Sequence, residues 1–318
     1  MIDYLVEKEY RGLVDAYERV GGDRSALLNN DVASLVVHEN KILSASEIEG
    51  VKLTGESQEH GIMAGLLIEE DCKVSRPIHL CFGILPQEGL QEIGLRVDVR
   101  RGAEVKVIAH CIFPNAVHII HKMDAVINIE DNASFSYKET HYHGESGGIE
   151  VIPKAKVTLG EKALYENTFS LVEGCVGKLD FDFEVSSAAR SVAEMILKVY
   201  GKKDDVIKIA ERVNLNGDGA RSLIKTRVVL RDRARAEVIG ETYGNAPYAR
   251  GHVDCIELIN GEEAIGKAIP IVLVRNEKAK VTHEAAIGSI DRRQVETLMA
   301  RGLDENEAVD VIVRGILR

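Results

Sequence analysis

The chain has 318 residues, enough for one elongated domain or two to three compact units with a sizeable core. Its net charge of −11 excludes broad binding to nucleic acid or to anionic membranes, which needs basic surface. Aromatics are only 5% of residues and Trp is absent, which implies a core of stacked aliphatic side chains rather than large rings.

At the N-terminus, MIDYLVEKEYRGLVDAY carries acidic groups where a secretory signal is basic and then apolar. No apolar run reaches the roughly 18 residues of a membrane span. The expectation is a cytoplasmic protein. In the same stretch Val6, Tyr10, Leu13, Tyr17 and Val20 recur at helical spacing, and Gly21-Gly22 supplies a stop. A second, weaker helical pattern covers 23–33. From Ser34 the texture changes to short Val- and Ile-rich runs broken by Gly, Asp and Asn, which is the texture of strands.

The strand region repeats. A turn, a small residue and an alternating apolar run recur, as in GAEVKVIAH at Gly102 and NASFSYKETHY at Asn132. Ala103, Ala133, Ala163, Ala220, Ala234, Ala264 and Ala279 are separated by 30, 30, 57, 14, 30 and 15 positions, close to multiples of 15. A coil of about 30 residues with two similar faces accounts for this, and such self-similarity without intervening helices marks a β-solenoid. The rival fold, a β-sandwich, needs several two-residue hairpin signals, and Asn260-Gly261 is the one clear example. The chain thus divides into a helical and mixed region at 1–85, a β-helix core at 86–288 and a helical region at 289–318.

In that last region Asp291 with Gln294, and Asp304 with Glu307, have capping-box spacing, and Gly302 and Gly315 read as stops. The apolar faces, Val295, Leu298 and Met299, then Val309 and Ile312, need a docking surface because both helices are short. Either a partner or the end of the solenoid supplies it.

The cysteines, Cys72, Cys81, Cys111, Cys175 and Cys255, form no CxxC pair and indicate neither a disulfide framework nor a closed zinc knuckle. His141 and His143 share a strand face, but two histidines make an incomplete metal site and read as surface residues. His118 and His121 are weaker still. Gly217-Asp218-Gly219 is a turn, and neither a phosphate loop nor a GxSxG elbow occurs. Cys255 and His283 are different, because 28 positions is nearly one coil and puts them on neighbouring rungs. Glu284 follows on the opposite strand face. A thiolate beside an imidazole suits iron, zinc or sulfur transfer, and a buried Cys packed on a hydrogen-bonded His is the plainer reading of the spacing.

The segment 240–315 resembles the core of the SufB/SufD family of iron–sulfur cluster assembly scaffolds. The resemblance rests on Asp254-Cys255, on the strand KAKVTHEAA from Lys278 with His283-Glu284, and on Arg301-Gly302-Leu303, Glu307-Ala308 and Arg314-Gly315. It implies a mainly β fold, a right-handed parallel β-helix with short flanking helical regions at both termini. It implies that Cys255, His283 and Glu284 bind sulfur, iron or the nascent, transient cluster, and Glu284 makes the chain look more like SufB than SufD. It implies a SufC-like ABC ATPase docked on the C-terminal helices, so that ATP chemistry belongs to another chain and this one is a non-catalytic scaffold. A SufBC-type complex, a homodimer or a SufB/SufD-type pairing, downstream apo iron–sulfur proteins and a flavin held through the complex belong to the same set of expectations. Where the family carries an aromatic pair in the first docking helix, this chain has Val295-Glu296-Thr297. A structural adaptor without metal and a β-helix enzyme acting on acidic polysaccharides are the alternatives, although the latter are usually secreted and cluster their carboxylates.

Overall fold

The computed structural model describes residues 4–19, 22–28 and 31–317. Two helices open the chain, α1 (Tyr4–Arg19) and α2 (Arg24–Leu28). Val20 and Gly21, expected to end the first helix, and the Val6 side chain lie outside the described residues. Strands then begin at Ser34, inside the region expected to be helical and mixed. They are β1 (Ser34–His38), β2 (Lys41–Ser46), β3 (Val51–Gln58), β4 (Gly61–Ile68), β5 (Ile78–Gly83), β6 (Glu88–Val99) and β7 (Glu104–Phe113). The series continues with β8 (His118–Ile129), β9 (Ser134–His143), β10 (Ile149–Leu159), β11 (Leu164–Glu173), β12 (Lys178–Ser187) and β13 (Val192–Gly201). It closes with β14 (Val206–Leu215), β15 (Arg221–Arg231), β16 (Arg235–Gly244), β17 (Arg250–Asn260), β18 (Ile265–Val274) and β19 (Lys280–Ser289). Two helices follow, α3 (Arg292–Met299) and α4 (Glu305–Ile316).

From β4 onward the strands alternate between two facing parallel sheets, so each coil is two strands and two turns. Arg250 pairs with Lys280 and Lys178 with Val206, coils of 30 and 28 residues. This is the parallel β-solenoid expected from the repeat. The repeated small residues are its corners. Ala103, Ala133, Ala163 and Ala220 are completely buried, and each N–H closes a turn to the carbonyl three residues back. The residue before each is left-handed: Gly102, Asn132, Lys162 and Gly219 have φ of 69°, 57°, 57° and 66°. Only glycine takes that conformation without cost, so Lys162 holds it because the neighbouring coils dictate the turn.

The core has one feature that composition hid. All six Phe residues are buried inside the solenoid, Phe181 and Phe183 stacked with centroids 4.1 Å apart. Each such ring contributes about 1.5–3 kcal/mol by leaving water. Among the described residues, hairpins occur only at the start of the sheets, β1 with β2 and β3 with β4, both antiparallel. Asn260-Gly261 instead turns one coil into the next.

The helices lie against the outer face of one sheet. Leu13, Val14 and Tyr17 of α1 pack on Val36, Cys81 and Ile112. Val295 of α3 and Ala308, Val309 and Val313 of α4 pack on Tyr200 and Val229, with Leu258 beside them. Tyr200, Val229 and Leu258 occupy one register position on β13, β15 and β17, a ladder pointing out of the solenoid. The helices therefore flank the solenoid and leave its end open. Asp304 and Glu307 form the expected capping box, whereas Asp291 caps α3 through the N–H of Arg293 and makes no box with Gln294. Gly302, at φ 101°, ends α3, but α4 runs through Gly315 to Ile316.

Candidate functional site

Strand β17 alternates strictly up to Glu257, with Gly251, Val253, Cys255 and Glu257 buried inward. Its neighbour β19 is the last strand of the sheet, in register Val253↔His283, Asp254↔Glu284 and Cys255↔Ala285. Cys255 and His283 are thus on adjacent strands, two residues out of register, which strand geometry places at roughly 8 Å between Cα atoms. Paired residues of parallel strands face the same way, so His283 shares the inner face with Cys255. Glu284 shares the outer face with Asp254.

The two sides differ in exposure. Cys255 is 5% exposed, whereas His283 and Glu284 are exposed. The cause is position, because no coil follows β18 and β19. Their inner faces look out of an open end, and Val274 and Ile287 on them are 46% and 47% exposed. Both are edge strands of ten residues with unpaired backbone on one side, which soluble proteins normally cover.

The nearest chemical neighbour of Cys255 is one the sequence reading missed. Its Sγ lies 4.0 Å from Oε1 of Glu257. Behind them, on the facing sheet, Glu211 accepts a hydrogen bond from Thr226, the residue paired with Cys255 one coil earlier. Burial raises Glu211 to about 7, opposed by Thr226, and burial raises Glu257 to about 7, opposed by a backbone bond from Lys267. Burial above all, then Glu257 and Glu211, pushes the Cys255 thiol up to about 12. A chain by itself therefore keeps Cys255 as the thiol, and His283 and Glu284 have no part in that shift. Outside, Arg227 bonds the Asp254 carbonyl at 2.9 Å and pairs with its carboxylate, holding the Asp254 carboxyl below the usual range. The alternation Val253-Cys255-Glu257 was the available signal for Glu257.

The helical candidates divide. Val295 and Val309 are buried against the solenoid, Leu298 and Ile312 are half-buried at the same seam, and Met299 is 37% exposed. Val295 and Val309 thus serve the intrachain packing. His141 and His143 are not surface residues, being 1% and 7% exposed, while His118 is exposed and His121 is 2% exposed. No described helix is long and apolar enough to cross a membrane.

Fold and site together define a parallel β-solenoid protein with a thiol just inside its open end coil. The sequence model for the SUF system FeS cluster assembly SufBD core domain matches residues 87–316. An iron–sulfur cluster assembly SufBD family protein of Methanocaldococcus jannaschii is 36% identical over 312 residues, covering 98% of each chain. A SufBD family protein of Pyrococcus horikoshii is 37% identical over 310 residues, 98% of this chain and 94% of the relative. One from Methanothermobacter thermautotrophicus strain Delta H is 27% identical over 244 residues, 76% of this chain and 58% of that longer relative. The chain belongs to the SufBD family, and its role is in iron–sulfur cluster assembly.

Proposed function

We propose that this chain is a non-catalytic scaffold that builds a nascent iron–sulfur cluster at the open end coil, where two subunits meet. The carrying observation is that Cys255 and His283 share the inner face of the last two strands of one sheet, at an end that the chain leaves uncovered. Two copies meeting edge to edge would bring two thiols, two imidazoles and two Glu284 carboxylates together, enough donors for a cluster that one chain cannot complete.

In this reading Cys255 ligates iron as the thiolate, or takes sulfane sulfur from a donor persulfide whose own thiol leaves. An arriving cation supplies the positive charge that overcomes burial and the two neighbouring carboxyls. Glu257 and Glu211 take up the released proton, because both stand near neutrality. His283 holds iron at the rim of the inner face, and Glu284, on the opposite face of the same strand, reaches it only across the edge that the partner subunit closes. By Cys255 and Glu284 the chain is of the SufB type and serves as a homodimer. A SufC-like ABC ATPase acts through the helical region. Its exposed outer surface, with Met299 and Val311, is what remains for such a partner once Val295 and Val309 are engaged. The work is cytoplasmic, and finished clusters pass to apo iron–sulfur proteins.

The test is anaerobic reconstitution of wild type and Cys255→Ala with ferrous iron and sulfide, followed by visible absorption. Cluster absorbance should be lost in the variant while its circular dichroism is unchanged. Equal cluster yield from the two proteins overturns the role given to Cys255.

A further inference from the structure

A second thiol–imidazole cluster lies inside the solenoid, remote from the end coil. Cys111 on β7 is paired in register with His141 on β9, both facing inward. From the facing sheet His121 of β8 points at them, with its ring centroid 5.8 Å from that of His141. Cys111 Sγ and one nitrogen from each of the two rings lie within 4.8 Å of one another. The three residues are 2%, 2% and 1% exposed, walled by Phe113 and Phe169, each 4.9 Å from one of the rings.

Their hydrogen bonds do not close. Nδ1 of His121 and Oε2 of Glu139 have no partner although both residues are 2% exposed. A buried polar atom without a partner is destabilising, and a bound ion would engage the imidazole of His121. The remaining contacts form a support. Glu139 Oε1 is 2.6 Å from His141 Nε2, and His141 Nδ1 is 3.4 Å from His143 Nε2. His143 Nδ1 is 3.0 Å from the carbonyl oxygen of Cys175, which can only accept, so His143 carries its proton there and turns a lone pair toward His141. Whichever nitrogen of His141 binds a ligand, the other keeps a partner, the arrangement that orients metal-bound imidazoles.

We infer that Cys111, His121 and His141 form a binding site for one divalent transition-metal ion of borderline softness, zinc or ferrous iron in type, with Glu139 beside them. One thiolate and two imidazoles select such an ion over magnesium or calcium. Donors around a tetrahedral ion of this size are roughly 3.5 Å apart, so the three must close in by about 1 Å. His143, whose Nε2 faces His141, also lines a surface groove with Arg19, Ile112, Tyr142, Glu145 and Glu173. Cys111 and Cys255 are five strands apart along one sheet, about 24 Å, so this site neither needs nor completes the end-coil assembly. Its effect is to tie β7, β8 and β9 across the two sheets, releasing the thiol proton on binding.

The test uses metal-free full-length chain, handled anaerobically and titrated with cobalt(II). One equivalent should bind per Cys255→Ala chain, which lacks the end-coil thiol, with intense four-coordinate visible bands and a thiolate charge-transfer band, and zinc should displace it. In that background Cys111→Ala should lose the charge-transfer band, and Glu139→Gln should weaken affinity about 10–100-fold. Circular dichroism of the metal-free variants checks folding. Should Cys111→Ala fail to fold, X-ray absorption of cobalt in the Cys255→Ala chain decides, since the site requires one sulfur and at least two nitrogen neighbours. A shell without sulfur, no binding by the folded wild type, or a charge-transfer band that disappears with Cys255 instead of Cys111 overturns the inference.

Discussion

Cys255 Sγ and Glu257 Oε1 lie 4.0 Å apart on the inner face of one strand, so a thiol proposed to become a thiolate is held beside a carboxyl that opposes ionisation. Removing the charge should ease it. Glu257→Gln should lower the pH midpoint of Cys255 alkylation by iodoacetamide, followed by mass spectrometry of the full chain. The midpoint stays above that of an ordinary cysteine, because burial is the larger cause. An unmoved midpoint would show that the carboxyl is electrostatically irrelevant to the thiol.

The same carboxyls should mark stability. Glu211 rises from 4.5 to about 7 on folding, so between those values the native chain holds a proton that the unfolded chain has released. Stability is then full below pH 4.5 and lost as pH rises through 7, by about 3 kcal/mol for this fully buried group. Urea titrations from pH 5 to 8 should show the decline in wild type and flatten it in Glu211→Gln. A decline of equal size in the variant would remove Glu211 as its source.

How much was legible beforehand divides along one line. The corner alanines at 30-residue spacing gave the solenoid, because at those corners a small buried residue follows a left-handed one. The 28-residue spacing of Cys255 and His283 gave adjacency, and the true register offset of 30 gives the two-residue slip between them. Contacts across the interior were not legible. Glu211 meets Thr226 from the facing sheet, and His121 meets Cys111 and His141 the same way, while the repeat reports only neighbours along one sheet. Applying the 30-residue offset to His141 does lead back to Cys111. The helices failed differently, since their apolar faces signal burial without saying where, and Val295 and Val309 found the sheet's own outer ladder.

That outcome separates two kinds of helix substitution. Val295→Ala, at 2% exposure, should cost about 2 kcal/mol by opening a cavity against Tyr200 and Val229, measured as a lowered midpoint in urea. Met299→Glu and Val311→Glu, at 37% and 47% exposure, should leave that midpoint within about 0.5 kcal/mol. The same two surface changes should abolish co-purification of a SufC-like ATPase. Retention of the ATPase by the double variant would move its docking site off these helices.

Subunit pairing through the end coil predicts a size change. Ile287→Asp, on an exposed inner-face position of β19, should convert a dimer to a monomer in sedimentation velocity without altering circular dichroism. A wild type that sediments as a monomer at micromolar concentration, with its ATPase present, would end the homodimer reading.

The open end has a consequence for the order in which the protein becomes rigid. In a stacked array each coil is stabilised by its neighbours, and the pair β18 and β19 has a neighbour on one side only. The coil bearing His283 and Glu284 is therefore the unit with least local protection, its amides the first in the solenoid to exchange with solvent while the coil holding Cys255 stays closed. Assembly at that end would supply the missing neighbour, so forming the cluster site and completing the fold of the last coil become one event.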